Sequence, residues 1–394
     1  MDIILDKNRI LPVLAKIQGI TGRSTTIAAT NNVRIEARSI PIGAGEEFPD
    51  LEQGELLITA TDLEVGYMGS FPSTVRTPGT IMIDSRKLYE IVKAFPSEEI
   101  SVSVQQPGWC EISSSTVQYQ IVCSGADDFP EPPFVESVEF FKIGPYSLMD
   151  TVRKNLMIPY DASDPRTHTH SCHLSMYGRE SGDKVMAAAS TNGSCMGLFE
   201  ITFPEATEVY CPAKNEVIPK KRLKELLKFL DGEYDLESAG RVSMGFKPGF
   251  MVVRKQNETL SIRMTEAEFP DYFQIFASTE GNTFVADNVK LKSLLKRVSI
   301  LNDSAYQSAE FVFDRDQLKV KVTNPHIGEA SETMPVTYIG EPFRAHFNPK
   351  LWLDLLAGID TAHVIGRLIS NERPCIITGD TDRAFTAAVM PMRG

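Results

Sequence analysis

The chain has 394 residues, 42% hydrophobic and 23% charged, a balance that excludes wholesale disorder and fits about two to four globular domains. Forty Lys and Arg stand against 52 Asp and Glu, a net charge of −12 that, taken as a total, argues against a nucleic-acid partner. No run reaches the roughly 18 apolar residues of a membrane span, and residues 1–7 mix acids with a base where a leader needs an apolar core.

The first helical segment, 7–23, carries Ile10, Val13, Leu14 and Ile17 at the spacing of one buried helix face, with Pro12 disturbing its first turn. A strand-like run at 56–60 is closed by Thr61 and Asp62, a pair suited to a turn. Asp84 caps a helix over 85–95 striped by Leu88, Ile91, Val92 and Phe95. Residues 119–122 alternate as a half-buried strand does, and 127–133 is an acidic, proline-rich connector. A helix over 146–157 shows Met149, Val152 and Leu156, interrupted by Arg153. The run 184–190 closes on Thr191 and Asn192, and Pro219 suits the first turn of a helix over 218–230 striped by Leu223, Leu226, Leu227 and Leu230. A second connector at 268–272 repeats the acid-Phe-Pro core of the first. Leu291, Leu294, Leu295 and Val298 then mark a helix beginning at 287, and the strand at 317–322 closes on Thr323 and Asn324. Asn348 and Pro349 open a last helix, within 346–359, striped by Trp352, Leu355, Leu356 and Ile359. The six cysteines (110, 123, 172, 195, 211 and 375) form no CxxC pair, so they read as reduced thiols in a cytoplasmic protein without a membrane partner.

The Thr-Asp and Thr-Asn closures recur 130 and 132 residues apart, and the cap that opens each unit's second helix follows the same period. Each unit reads strand, helix, three strands, helix, three strands. The expected fold is α+β, in three tandem domains of two helices backed by antiparallel sheet, at 1–136, 137–278 and 279–394.

Divided by element, the charge is uneven. The six helical segments hold 19 Lys and Arg against 5 Asp and Glu, net +14, and the rest of the chain holds 21 against 47, net −26. Candidate phosphate contacts are Lys7, Arg9, Lys16, Arg86, Lys87, Arg153 and Lys154. Lys221, Lys224 and Lys228 share a helix face away from the leucines, and Lys292 and Lys296 do the same farther on. Helix propensity alone would have brought comparable numbers of Glu. A cationic surface built of helices in an anionic body binds backbone phosphates without reading bases. No zinc-finger spacing or dense basic helix offers groove readout, so sequence-neutral binding to double-stranded DNA is implied.

The phosphate-loop, GxSxG, HExxH and EF-hand patterns are absent, and nothing calls for a catalytic residue or a cofactor. One cluster is suggestive, His168-Thr169-His170-Ser171-Cys172-His173: on a strand, His168, His170 and Cys172 would share a face and could hold a metal.

The runs Ile58-Thr59-Ala60-Thr61-Asp62-Leu63-Glu64, Asp127-Asp128-Phe129-Pro130 and Phe269-Pro270-Asp271-Tyr272, with the ending Val389-Met390-Pro391-Met392-Arg393, resemble the bacterial sliding clamps, the beta subunits of DNA polymerase III. The resemblance implies three DNA-clamp domains per chain, joined head to tail in a homodimeric ring with helices lining the hole and sheets outside. It implies that duplex DNA threads the hole, that the ring tethers the replicative DNA polymerase, and that a clamp loader complex and other clamp-binding-motif proteins, repair factors among them, are partners. Residue by residue, it implies DNA contact at Arg23 and a dimer seam at Tyr119 and Ile121 on one end and Ile300 and Leu301 on the other.

The resemblance also implies an apolar pocket for partner peptides at His170, Thr191, Gly193, Ser194, Cys195 and Met196. Pro270 and Ile275 belong to it, as do Val389, Met390, Pro391, Met392 and Arg393. Where such clamps carry Thr-Asp-Gly-His-Arg-Leu, this chain has Thr191-Asn192-Gly193-Ser194-Cys195-Met196, and Gln274 and Gly394 replace a frequent Arg and a final Leu. A Met-lined slot suited to adaptable peptide binding is expected. The competing expectations are a hydrolase or transferase, which needs convergent catalytic groups, a metal-dependent binding protein centred on His168, His170 and Cys172, and a divergent accessory clamp with an altered pocket.

Overall fold

Asp6, Asp84 and Asp287 each end a strand, Asn348 follows one, and all four open a helix: their side-chain oxygens accept from the backbone N–H of Asn8 (2.9 Å), Lys87 (2.8 Å), Lys290 (2.9 Å) and Lys350 (2.9 Å). Such caps punctuate an α+β fold of antiparallel sheets. The computed structural model describes residues 1–21, 28–40, 53–133, 137–213, 215–232, 234, 242–277 and 280–392.

The first repeat runs from strand Asp2–Asp6 into helix α1 (Lys7–Ile17), through strands Asn32–Ser39, Gln53–Thr61, Val65–Thr77 and Gly79–Asp84, into helix α2 (Ser85–Ala94) and three more strands, Glu99–Gln106, Trp109–Ser113 and Gln118–Ser124. The second has α3 (Pro145–Met157) and α4 (Lys220–Leu230) in the equivalent places, and after a one-turn helix α5 (Phe273–Phe276) the third has α6 (Asn288–Val298) and α7 (Pro349–Ala357). Among the described residues the first two repeats have one strand more than expected between their helices and the third has two more. Gly79–Asp84, Glu216–Pro219 and Phe343–Phe347 lead directly into the second helix, so their signal merges with the cap that follows. Pro219 accordingly ends a strand instead of sitting in the first turn of α4.

The recurring Thr-Asp/Asn closure is one turn built twice. Thr61 Oγ1 donates to the Val65 carbonyl (2.9 Å) and accepts from Leu63 N–H (2.9 Å), while Asp62 Oδ1 accepts from Glu64 and Val65. Thr191 Oγ1 likewise donates to the Cys195 carbonyl (2.7 Å) and accepts from Gly193 N–H (3.0 Å), with Asn192 Oδ1 taking Ser194 and Cys195. The third residue is left-handed in both, φ 72° at Leu63 and 88° at Gly193, and only the second uses the residue that suits it.

The stripes of α1, α2, α6 and α7 are buried as the spacing requires. Helix α1 runs through Pro12, which lies on its exposed side. In α4, Phe229 is buried and Leu227 only half-buried, because the face rotates to take Glu225 inside. In α3, Leu156 is half-buried and Lys154 is drawn in.

The described chain forms two compact units, Met1–Pro145 with Lys224–Met264, and Tyr146–Leu223 with Thr265–Gly394. The strands of the second repeat are shared between them. Glu258–Arg263 pairs with Val65–Thr77 and carries three strands of the second repeat into the 12-stranded sheet of the first unit. Cys195–Phe203 pairs with Phe385–Val389 and carries the others into the 10-stranded sheet of the second unit. Beneath that sheet Trp352 packs among Phe311, Phe347 and Phe284 at ring separations of 5.2, 5.5 and 6.3 Å. No helix among the described residues is long and apolar enough to cross a membrane.

Candidate functional site

The helix cations are exposed less freely than a charge count implies. Arg9 lies beside Asp6 (3.3 Å), Arg86 and Lys87 beside Glu90 (3.1 and 3.0 Å), Arg153 beside Asp150 (3.6 Å) and Lys228 beside Glu225 (3.1 Å). Lys221, Lys224 and Lys296 extend into solvent. Four candidates turn inward. Lys7 Nζ donates to the Phe95 carbonyl, and Lys16 pairs with the buried Glu258 (2.9 Å), which also accepts from the Tyr67 hydroxyl (2.6 Å). Lys292 is half-buried and donates to the Ile359 carbonyl (3.4 Å).

Lys154 departs furthest from the expectation. Its side chain is 8% exposed, donates to the Gly358 carbonyl at the end of α7 and pairs with Asp360. The carbonyl at a helix end and a carboxylate satisfy the ammonium inside the protein, so it is a tie between α3 and α7 instead of a phosphate contact. Arg23 lies outside the described residues. Lys290 and Arg297, passed over in the sequence, are exposed on α6 beside Asp287 (3.8 Å) and Glu332 (2.5 Å).

Part of the set expected to form the peptide pocket gathers on one face of the sheet in the second unit. Ala187, Ala189, Met196, Leu198, Ile376 and Ala388 alternate inward on that face and cluster with Tyr272, and Tyr177, Phe269, Ile275 and Phe276 pack against them. Small alanines line that face, and the one-turn α5 supplies Ile275, which packs against the cluster. Met390 and Met392 stay 39% and 37% exposed, their backbone pinned by Met390 N–H to the Ser194 carbonyl (2.8 Å) and Met392 N–H to the His346 carbonyl (2.7 Å). Gly193, Ser194 and Pro270 are exposed, and His170 and Pro391 half-buried.

Cys195, Thr191 and Val389 do not line this face. Cys195 and Val389 belong to the opposite side of the sheet, in the core with Phe199 and Phe385, because strand residues alternate between faces, and Thr191 is buried holding its turn. Arg393 lies outside the described residues. Sequence reasoning missed Arg166, whose guanidinium is held by Asp164 (2.7 and 3.0 Å) and rests on Gly193, where a Cβ would stand 3.3 Å from Nη1. The signal available for it was the Asp164-Pro165-Arg166 spacing.

The metal reading fails on local geometry. Residues Thr167–His170 form a 3-10 turn and the strand begins at Ser171, so His168, His170 and Cys172 share no strand face. His168 stands edge-on to Phe269 (6.3 Å), and His173 stacks on the same ring (5.1 Å). Among the described residues no group of three or more His, Cys, Asp or Glu is placed to hold a metal ion.

At the expected seam, strand Gln118–Ser124 pairs with Trp109–Ser113 along its length, but on its other side only Cys123 and Ser124 meet Ile83 and Met82. The backbone of 118–122 is therefore an open edge among the described residues, and Tyr119 is exposed beside it, its ring 5.7 Å from that of Phe95. Ile121 is half-buried. In the second unit, Ile300 is 77% exposed on a 3-10 turn and Leu301 is tucked against the core.

Behind the pocket sheet Lys220 is fully buried, donating to the Ile158 carbonyl (3.1 Å) over the Tyr160 ring (5.5 Å). Burial pushes its ammonium down to about 8, against the weaker opposing pull of the Cys172 and Cys195 thiols, which burial raises to about 12. A lysine with a depressed folded pKa binds fewer protons folded than unfolded between about 8 and 10.5, so its contribution to stability rises with pH across that window and its cost is full below it. Lys220→Met is expected to remove this slope from urea unfolding between pH 8 and 10.5 and to stabilise the protein at pH 7 by about 2 kcal/mol, part of the gain being lost to the unpaired Ile158 carbonyl. An undiminished slope in the variant contradicts the assignment.

Two family descriptions match this chain: the N-terminal domain of the DNA polymerase III beta subunit over residues 1–133 and its C-terminal domain over 274–393. The beta sliding clamp of Chlamydia muridarum is 23% identical over 396 aligned residues, covering 100% of this chain and 99% of that protein. That of a Synechocystis species is 27% identical over 362, covering 87% and 90%. Among solved structures, the DNA polymerase III subunit beta of Bartonella birtlesii, with griselimycin bound, superposes at a TM-score of 0.85 with 21% identity and 100% of both chains covered. The Pseudomonas aeruginosa protein does so at 0.84 and 22%, again over 100% of both.

Proposed function

Since this chain belongs to the DNA polymerase III beta-subunit family, we propose that it is a DNA sliding clamp, a protein that encircles duplex DNA without regard to sequence and tethers the replicative polymerase during DNA replication. The segregation of charge carries the reading: net +14 on the helical segments and −26 elsewhere supplies phosphate attraction on one kind of element and repulsion on the other. Neither the metal-dependent protein nor the accessory clamp finds support in the comparisons.

The finer reading is a head-to-tail homodimer of six domains, bounded in each chain at 1–136, 137–278 and 279–394, acting in the cytoplasm as a processivity factor and not as an enzyme. The open edge at 118–122 and the exposed Ile300 are surfaces of the kind a heterologous, closing interface joins. A clamp loader complex would open the ring, and the polymerase and repair factors would dock through short peptides on the Met196–Ile275–Met390–Met392 face.

Closure does the physical work. Many weak phosphate contacts, none base-specific, permit diffusion along the duplex, while the ring's topology prevents escape. Tethering then raises the polymerase's local concentration at the primer end, an effect worth about a hundredfold or more. With its loader and polymerase on singly primed circular DNA, the protein is expected to lengthen the product of one binding event by about that factor. Product lengths unchanged by the protein contradict the function.

A further inference from the structure

Acids are scarce in the helical segments, yet four of the five lie within 4 Å of a helix cation: Glu90 by Arg86 and Lys87, Asp150 by Arg153, Glu225 by Lys228 and Asp287 by Lys290. A surface selected only to hold phosphate would leave such cations unpaired. Glu90 is the clearest case, because Arg86 and Lys87 are 79% and 67% exposed and both reach its carboxylate across one helical turn.

We infer that Glu90 is a brake on the grip of the clamp, its carboxylate occupying cationic charge that would otherwise hold a backbone phosphate. The inference rests on the DNA-encircling reading. Affinity is supplied by ring closure, so added phosphate contacts bring friction without need. Each further contact steepens the dependence of log affinity on log salt by about 0.9, and a steeper dependence means tighter holding at low salt. An exposed carboxylate one turn away costs the fold nothing and lowers that number.

The test uses the full-length protein and a fluorescent blunt duplex, titrated between about 50 and 200 mM salt. Glu90→Gln is expected to bind about threefold more tightly at the low-salt end, with a slope steeper by about one. A wild-type protein that binds with the usual salt dependence, beside a Glu90→Gln protein with the same affinity and slope, overturns the inference alone. Absence of salt-dependent duplex binding in both proteins overturns the inference, whereas the DNA reading falls separately, on failure of the protein to be retained on circular DNA.

Discussion

Substituting aspartate for Tyr119 and Ile300 together is expected to leave a folded monomer of 43.7 kDa and to abolish all retention on DNA. Both side chains are exposed in the protomer, so the fold tolerates a carboxylate at either place. In the assembly each would be desolvated against an apolar partner with no cation to meet it, a loss above about 2 kcal/mol per position. A two-fold closed ring repeats that loss at both seams. Light scattering checks the mass, and far-UV circular dichroism checks that the protomer is intact. A double variant that remains a dimer of twice 43.7 kDa removes these residues from the seam.

The second large effect concerns the pocket. Met390→Ala with Met392→Ala is expected to abolish polymerase stimulation and to weaken binding of the partner's clamp-binding peptide by tens-fold or more, about 2–3 kcal/mol. The dimer and the thermal unfolding temperature should be preserved. The ground is that both methionines are more than a third exposed and follow Ala388, a member of the Met196–Ile275 cluster, along the chain, so their side chains are available to a docking surface and add little to the core. A variant that unfolds early while binding peptide normally contradicts the assignment and makes these residues packing.

What could be read from the sequence was what is local. Ile10, Val13, Leu14 and Ile17 bury as a stripe because helical geometry leaves no other face for them, and Thr61-Asp62 and Thr191-Asn192 make the same turn because the hydroxyl and carboxyl or amide reach the same backbone groups. Asp84 and Asn348 cap as written. Non-local choices were not legible. Lys154 looks like any surface lysine until Asp360, 206 residues on, comes beside it, and Lys16 meets Glu258 across 242. Leu227 yields to Phe229 because Glu225 is carried inside, a choice no periodicity encodes. The alternation that would have put His168 with Cys172 held only from Ser171, since the preceding residues turn. Of the residues expected at the pocket, Met196 and Ile275 share one face of the sheet, while Cys195 and Val389 fall on the other, as the strand pleat requires of neighbouring residues.

The central claim is threading, and DNA topology tests it most directly. Protein loaded onto nicked circular DNA and separated from free protein by gel filtration should stay with the circle at salt concentrations that break ordinary phosphate contacts. It should then run off within minutes once a single restriction cut makes the DNA linear, and blocking both ends should restore retention. Equal retention on circular and open linear DNA, or loss from both at the same salt, would contradict encirclement.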